Sequence, residues 1–246
     1  MKLLHKKVAQ GVVDAILEGE FPVGGALPGE RELAMRFTVN RATVREALEL
    51  LSQAGWVTVR ERRATVVNDF WIDGTLDLVP SMLSSETSFP VDLAINMLEV
   101  RTEISPHYVR LAVEKDSPQV IAFLAKARKL NDTPSAIAKF DWNLHKNLAV
   151  LSGNKFYPLL LNSFAKLYFR MRGQFFATDE FRTLARGYYQ KLMRAAINED
   201  SAEAGEVTRT TMNQRLHIFK RQVAAQAEQT HDHAAGTPSA APGAAR

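Results

Sequence analysis

Between Asn40 and Gly55 the sequence specifies both ends of one helix, and this segment limits what the chain can become. Asn40 is an N-cap residue whose short side chain can accept a hydrogen bond from a free first-turn N–H. Gly55 supplies the left-handed stop. Inside, Val44, Ala47, Leu48 and Leu51 recur at helical spacing, so one face packs inward. Arg41 and Arg45 stand one turn apart on another face. Upstream, Leu4, Val8, Val12, Val13, Ile16 and Leu17 predict a helix over 4–19, broken at Phe21-Pro22-Val23-Gly24-Gly25. Glu30–Phe37 reads as a short second helix, and Thr38-Val39-Asn40 as a tight turn. Downstream, Trp56–Arg60 and Thr65–Val67 are β-rich runs separated by charged residues, which predicts a hairpin. Helix, helix, turn, helix and hairpin is the order of a winged helix-turn-helix.

Such a module reads DNA by laying the start of its second motif helix in the major groove. The segment Asn40-Arg41-Ala42-Thr43-Val44-Arg45 is the candidate. A guanidinium can grip guanine O6 and N7 with two hydrogen bonds or clamp a phosphate. Thr43 can donate to a phosphate or a base. Arg31 can reach the backbone, and Arg60, Arg62 and Arg63 sit at the expected wing. The whole chain of 246 residues carries a formal charge of only +4. Placement therefore matters more than total: between Arg31 and Arg63 there are seven arginines against four acidic residues. The other reading of these arginines is a solvated face shared with Glu46 and Glu49.

Beyond residue 68 the pattern changes. Residues 69–86 read as a linker with a short helical piece. Helical spacing then runs over roughly 89–115, 117–129, 133–152, 154–176, 178–199 and 201–227, with Pro106 expected to kink or interrupt the first. The expected organisation is a DNA-binding domain over 1–68, the linker, a helical domain over 87–225, and a disordered tail over 226–246 rich in Ala, Gly, Pro, Ser and Thr. The fold class is mainly α. The absence of Cys excludes a disulfide framework, an iron–sulfur site, a thiolate zinc site and a cysteine nucleophile. No stretch approaches the ~18 continuous apolar residues of a membrane span. The basic start, Met1 to Lys7, runs into an amphipathic segment, so no signal peptide is read, the expected location is the cytoplasm, and no membrane partner is expected.

The runs Leu27-Pro28-Gly29-Glu30-Arg31-Glu32-Leu33-Ala34, Val39-Asn40-Arg41-Ala42-Thr43-Val44-Arg45-Glu46-Ala47-Leu48 and Gly55-Trp56-Val57 resemble the DNA-binding domain of the GntR superfamily. By that resemblance Arg31, Arg41, Thr43 and Arg45 match DNA-contact positions. The wing departs from it: Glu61-Arg62-Arg63 stands where members commonly carry glycine. Leu98 to Glu103, Leu111-Ala112, Asp141-x-x-x-His145 and Ser152-Gly153-Asn154 resemble the helical effector domain of the FadR subfamily. Val67 to Trp71, Leu167-Tyr168, Phe176-Ala177 and Gly187 to Leu192 are similar to its fatty-acid-responsive branch.

The resemblance implies a homodimeric transcription regulator on a palindromic operator in double-stranded DNA, with an acyl-CoA or small-carboxylate effector in the helical domain. It places Arg101 and Tyr168 at the effector pocket. It also places there Phe175, Met212, Arg215 and Phe219, where the branch usually has Tyr, Gly, Ser and Trp. The rival reading of Arg101 is a salt bridge to Glu99, Glu103 or Asp141. Asp141 and His145, four residues apart on one face, can share a divalent cation. The resemblance puts Gln190 and Asn213 where metal-binding relatives have further His ligands. The competing reading is an Asp141–His145 hydrogen bond. No cofactor follows with certainty. The other function classes are an architectural DNA binder without effector and a metal-dependent enzyme; against the enzyme, no Ser–His pair or paired carboxylates emerge.

Overall fold

A computed structural model describes residues 3–60, 63–84 and 91–235 of the chain. Two compact units form, one from 1–90 with 159–170, the other from 91–158 and 171–246.

In the first unit, α1 (Leu4–Leu17), α2 (Glu30–Arg36) and α3 (Arg41–Ala54) pack around Val12, Val13, Leu33, Val44, Ala47 and Trp56. The ends of α3 are those the sequence specifies. Asn40 Oδ1 accepts from the Thr43 N–H at 2.8 Å. Gly55 takes φ +91°, and the Trp56 N–H reaches back to the Leu51 carbonyl at 2.9 Å. The helix therefore closes in a Schellman turn.

Strands β1 (Val57–Thr58) and β2 (Val66–Val67) pair antiparallel, Val57 with Val67 and Thr58 with Val66. A third segment that the side-chain pattern did not reveal joins them. Ala26 bridges Val66, and the Leu27 N–H donates to the Thr65 carbonyl at 2.8 Å. The wing is thereby tied to the chain just before α2.

The stretch expected as a linker with a short helical piece carries that piece and packs on the first unit. Phe70 lies 4.8 Å from the Trp56 ring, and α4 (Val79–Met82) packs on α1. Ser81 accepts the Trp56 indole N–H on its hydroxyl at 2.9 Å, while its carbonyl takes a bond from Gln10 Nε2. Gly74 allows this close return, because a Cβ there would lie 2.2 Å from the Phe70 carbonyl oxygen.

The second unit is a helical bundle of α5 (Val91–Leu124), α6 (Pro134–Leu151), α8 (Asp179–Ile197) and α9 (Ser201–Ala235), with the ends of α7 (Phe156–Phe175). Thr133 and Thr178 cap α6 and α8, accepting from the N–H groups of Ala136 and Phe181. The break in α5 falls at Asp116, the expected boundary between 89–115 and 117–129, and the interruption expected at Pro106 does not occur. Asp116 leaves helical geometry and caps the next turns by accepting from the Gln119 N–H at 3.1 Å. Helix α9 continues past 225, so residues 226–235 are helical rather than tail; 236–246 lie outside the described residues.

The turn between α2 and α3 stores a local cost. The Thr38 and Val39 N–H groups donate to the Met35 and Ala34 carbonyls, a second Schellman turn, yet its left-handed position is a β-branched Thr38 at φ +53°. That conformation costs a non-glycine residue about 1–2 kcal/mol. We therefore expect Thr38→Gly to stabilise the chain by about 1 kcal/mol, partly offset by glycine's entropy, read as a higher midpoint in urea unfolding.

Candidate nucleic-acid interface and buried charge cluster

The start of α3 places Arg41 and Arg45 side by side, 64% and 61% exposed. Neither is buried against its own subunit. With α2 and the wing they line a groove of about 930 Å³ that also carries Arg60, Arg63, Glu30 and Glu49. Arg31 is exposed and Thr43 half-buried. Asn40 is exposed, but its side-chain oxygen is committed to the cap, which leaves its amide NH₂ to offer a phosphate. Glu61 and Arg62 lie outside the described residues.

Glu30, which the sequence reading did not place among the site residues, holds both Arg41 and Arg45. Its carboxylate accepts from Arg45 Nε at 3.0 Å and Nη2 at 2.8 Å, and from Arg41 Nη2 at 3.4 Å. The Arg45 hydrogen bond is the main reason the Glu30 carboxyl lies below its ordinary range, and reciprocally the Arg45 guanidinium is raised.

In the helical unit the residues at the centre are charged and buried. Asp141 on α6 is fully buried. Arg215 on α9 grips it with two nitrogens, at 3.0 and 2.9 Å. Arg101 on α5 stands 3.9 Å away, and Tyr189 on α8 donates its hydroxyl at 3.1 Å. Of the three carboxylates weighed for Arg101, Asp141 is the one it meets; Glu99 instead takes Lys220 at 2.7 Å. Burial alone would raise the Asp141 carboxyl. The positive charges of Arg215 and Arg101 more than reverse this and hold it well below the usual carboxylate range.

His145, one turn along α6, bonds through Nδ1 to the Tyr108 hydroxyl at 2.7 Å rather than to Asp141. That hydroxyl also meets Ser105 Oγ at 2.9 Å. The Tyr188 ring stacks on the imidazole 5.8 Å away, and the Tyr188 hydroxyl meets Thr208 at 3.2 Å. Burial pushes the His145 pKa down to about 3, with Arg101 and Arg215 adding to the shift against the opposing pull of Asp141. Burial likewise pushes the Tyr108 phenol up to about 12. The ring of His145 is neutral at ordinary pH.

These residues do not fit the expected divalent cation. The carboxylate that would bind it is taken by Arg215, and Gln190 and Asn213 are exposed while Asp141 and His145 are fully buried. Among the described residues no group of three His, Asp or Glu is placed to hold a metal. The guanidinium stands where a metal would be needed.

The residues expected at the effector pocket are all buried: Arg101, Tyr168, Phe175, Met212, Arg215 and Phe219. Phe175 and Phe219 meet edge to face at 4.9 Å, and Arg215 lies over the Phe181 and Tyr188 rings. Tyr168 belongs to the stretch 159–170 that groups with the first unit. A cavity of about 490 Å³ opens over Tyr189, between Arg128 and Arg186 and the apolar side chains Leu124, Ala127 and Met193. Sequence reading missed Tyr108, Tyr188, Tyr189 and Thr208 as partners of the cluster; a tyrosine doublet was its only visible trace.

A family model for bacterial regulatory proteins of the gntR family matches residues 4–67, and one for the FadR C-terminal domain matches 68–229. The fatty acid metabolism regulator protein of Klebsiella pneumoniae subsp. pneumoniae is 36% identical over 183 residues, 74% of this chain and 77% of that one. The protein of the same name from Shewanella halifaxensis is 36% identical over 200 residues, 81% and 83% of the two chains. A solved structure of Lar, described as controlling the Listeria monocytogenes agr system, aligns over 90% of this chain and 96% of that one. Its TM-score is 0.53 at 16% identity, a likeness of fold.

His145 gives stability a pH dependence of definite sign. Its pKa in the folded chain lies below the ordinary 6.5, so on acidification the unfolded chain takes up a proton that the folded chain refuses. The stability is complete above about pH 6.5 and is lost as pH falls towards 3, at up to ~1.4 kcal/mol per pH unit. The depressed Asp141 carboxyl acts only lower, below the unfolded carboxylate range near ~3.9. We expect His145→Gln to flatten the stability curve between about pH 4.5 and 6.5, measured by urea unfolding.

Proposed function

Because the chain belongs to the gntR family of bacterial regulatory proteins and carries its FadR C-terminal domain, we propose how its two units divide the work of a DNA-binding transcription regulator. It is a regulator and not an enzyme. The first unit reads DNA. Two copies of α3, one from each subunit of a homodimer, enter successive major grooves of a palindromic site, since operator symmetry mirrors protein symmetry. Arg41 and Arg45 read guanine edges; Arg31, Thr43 and the Asn40 amide set the register on phosphates; Arg60, Arg62 and Arg63 hold the wing to the backbone. The single observation that carries this reading is the exposed Arg41–Arg45 pair at the N-terminal turn of a capped helix beside a wing.

The second unit binds the effector. Two guanidinium groups converge on the one carboxylate of Asp141, a place where a second anion is attracted. An acyl-CoA fits this best, as the relatives' name, fatty acid metabolism regulator, also suggests. Its charged part would enter past Arg128 and Arg186 over Tyr189 and be drawn towards Arg101 and Arg215, with its apolar part against Leu124, Ala127 and Met193. A small carboxylate would compete only for Arg101 and Arg215. Either changes operator affinity to the extent that it prefers one DNA-binding state of the protein. The protein works in the cytoplasm, where both DNA and acyl-CoA are found.

Arg45→Ala should weaken binding to a duplex selected by the full chain by ~1–3 kcal/mol and relax its sequence preference, read by fluorescence anisotropy. Unchanged affinity and preference would remove Arg45 as a reader. Long-chain acyl-CoA at about 100 times its Kd should stabilise the chain by about 2.7 kcal/mol. For a chain of this size that raises Tm by roughly 5–10 °C. A shift with small dicarboxylates and none with acyl-CoA would assign the smaller effector.

A further inference from the structure

The reading arginines are not idle without DNA, because one carboxylate occupies both. Arg45 presents Nε and Nη2 to Glu30 as a fork, at 3.0 and 2.8 Å. That is the donor arrangement with which a guanidinium grips a guanine edge or a phosphate. Arg41 reaches the same carboxylate at 3.4 Å. Glu30 is only 27% exposed and sits at the first turn of α2, which Gly29 fixes by donating its N–H to Glu32 at 3.2 Å. The arginines, by contrast, are mostly in solvent. The carboxylate is thus the fixed partner and the guanidinium groups are the movable ones.

Resting on the reading of α3 as the DNA reader, we infer that Glu30 is a specificity-determining residue that holds Arg41 and Arg45 away from unspecific phosphates. Its negative charge lies in the groove that DNA enters, so every phosphate drawn there is opposed. A random duplex offers Arg45 only phosphate oxygens, which replace one anion with another at the expense of leaving Glu30 unpaired. An operator offers a guanine edge in register, and there an aimed fork gains two directed bonds that offset the release of Glu30. The ion pair is solvent-accessible, and exposed pairs are weak enough to be exchanged. A carboxylate placed in this way costs unspecific binding more than operator binding, and sequence discrimination is the difference between the two.

The test uses the full chain, a duplex selected from a random pool by the wild-type protein, and an unrelated duplex of equal length, with anisotropy titrations at several salt concentrations. Glu30→Gln keeps the shape and removes the charge. It should tighten binding to the unrelated duplex about tenfold and leave the selected duplex within about threefold. Discrimination then falls, and the unspecific salt dependence steepens by about one counterion. Glu30→Ala should do the same, with folding of both variants checked by urea unfolding. In an Arg45→Ala background the effect of Glu30→Gln on discrimination should largely vanish. Equal changes on both duplexes, no change on the unrelated one, or a discrimination loss that persists without Arg45 would each overturn the inference. A wild-type chain that does not distinguish the two duplexes overturns the parent reading as well. A discriminating wild type matched by Glu30→Gln overturns this inference alone.

Discussion

Four helices of the bundle meet at one carboxylate. Asp141 projects from α6, Arg215 grips it from α9, Arg101 approaches from α5 and Tyr189 donates to it from α8. Two of these partners are arginines with almost no exposure, and buried guanidinium groups are tolerated only near anions. The cost of a misplaced helix is therefore electrostatic as well as steric. Removing one member of such a pair typically costs 3–5 kcal/mol, because the other is left charged and buried. The aromatic shell around it, Tyr108, Tyr188, Phe175, Phe181 and Phe219, excludes water and strengthens each polar bond inside.

The same chemistry occurs in the first unit with a different outcome. Glu30 too is a carboxylate between two arginines. There the arginines are more than half exposed, so water and salt screen the attraction and the pair is weak. Burial decides that only one of the two carboxylates organises a fold. An effector anion that entered the bundle would meet the costly version of the pair and could bind only by offering Arg215 and Arg101 as much as Asp141 does. That requirement suits a ligand with a large apolar part, whose burial helps to offset the exchange.

Much of the DNA-binding unit was legible because its signals are local. Asn40 and Gly55 fix α3 within a residue at each end, and hydrogen bonds between near neighbours realise both ends. The third strand segment at Ala26 was not legible, since it is joined by backbone groups that side-chain patterns do not encode. Nor was the folding of 70–83 onto α1, which rests on long-range contacts such as Trp56 with Ser81. Pro106 was expected to interrupt α5, but that turn packs on α9 and stays helical; the break at Asp116, where a side chain can cap, is the one that helical spacing placed between 115 and 117. In the bundle, the spacing of Asp141 and His145 correctly put both on one buried face. Spacing along one helix does not tell what arrives from others, and the partner of Asp141 lies 74 positions away on α9.

That distant partner explains why the metal pattern is present in outline and does not assemble. A divalent cation would need Asp141 oxygens, a His145 nitrogen and further ligands from neighbouring helices. Arg215 supplies positive charge to the carboxylate from a covalently attached group, and a guanidinium stays charged at any pH the protein meets. Once that charge is built into the chain, Gln190 and Asn213 can face solvent and His145 can turn its Nδ1 to Tyr108 without leaving Asp141 uncompensated. A metal would cross-link the helices through bonds of fixed length to several ligands. An arginine instead joins two helices, here α6 and α9, through its two terminal nitrogens on one carboxylate. The replacement puts a permanent cation of the chain's own at the centre of the bundle.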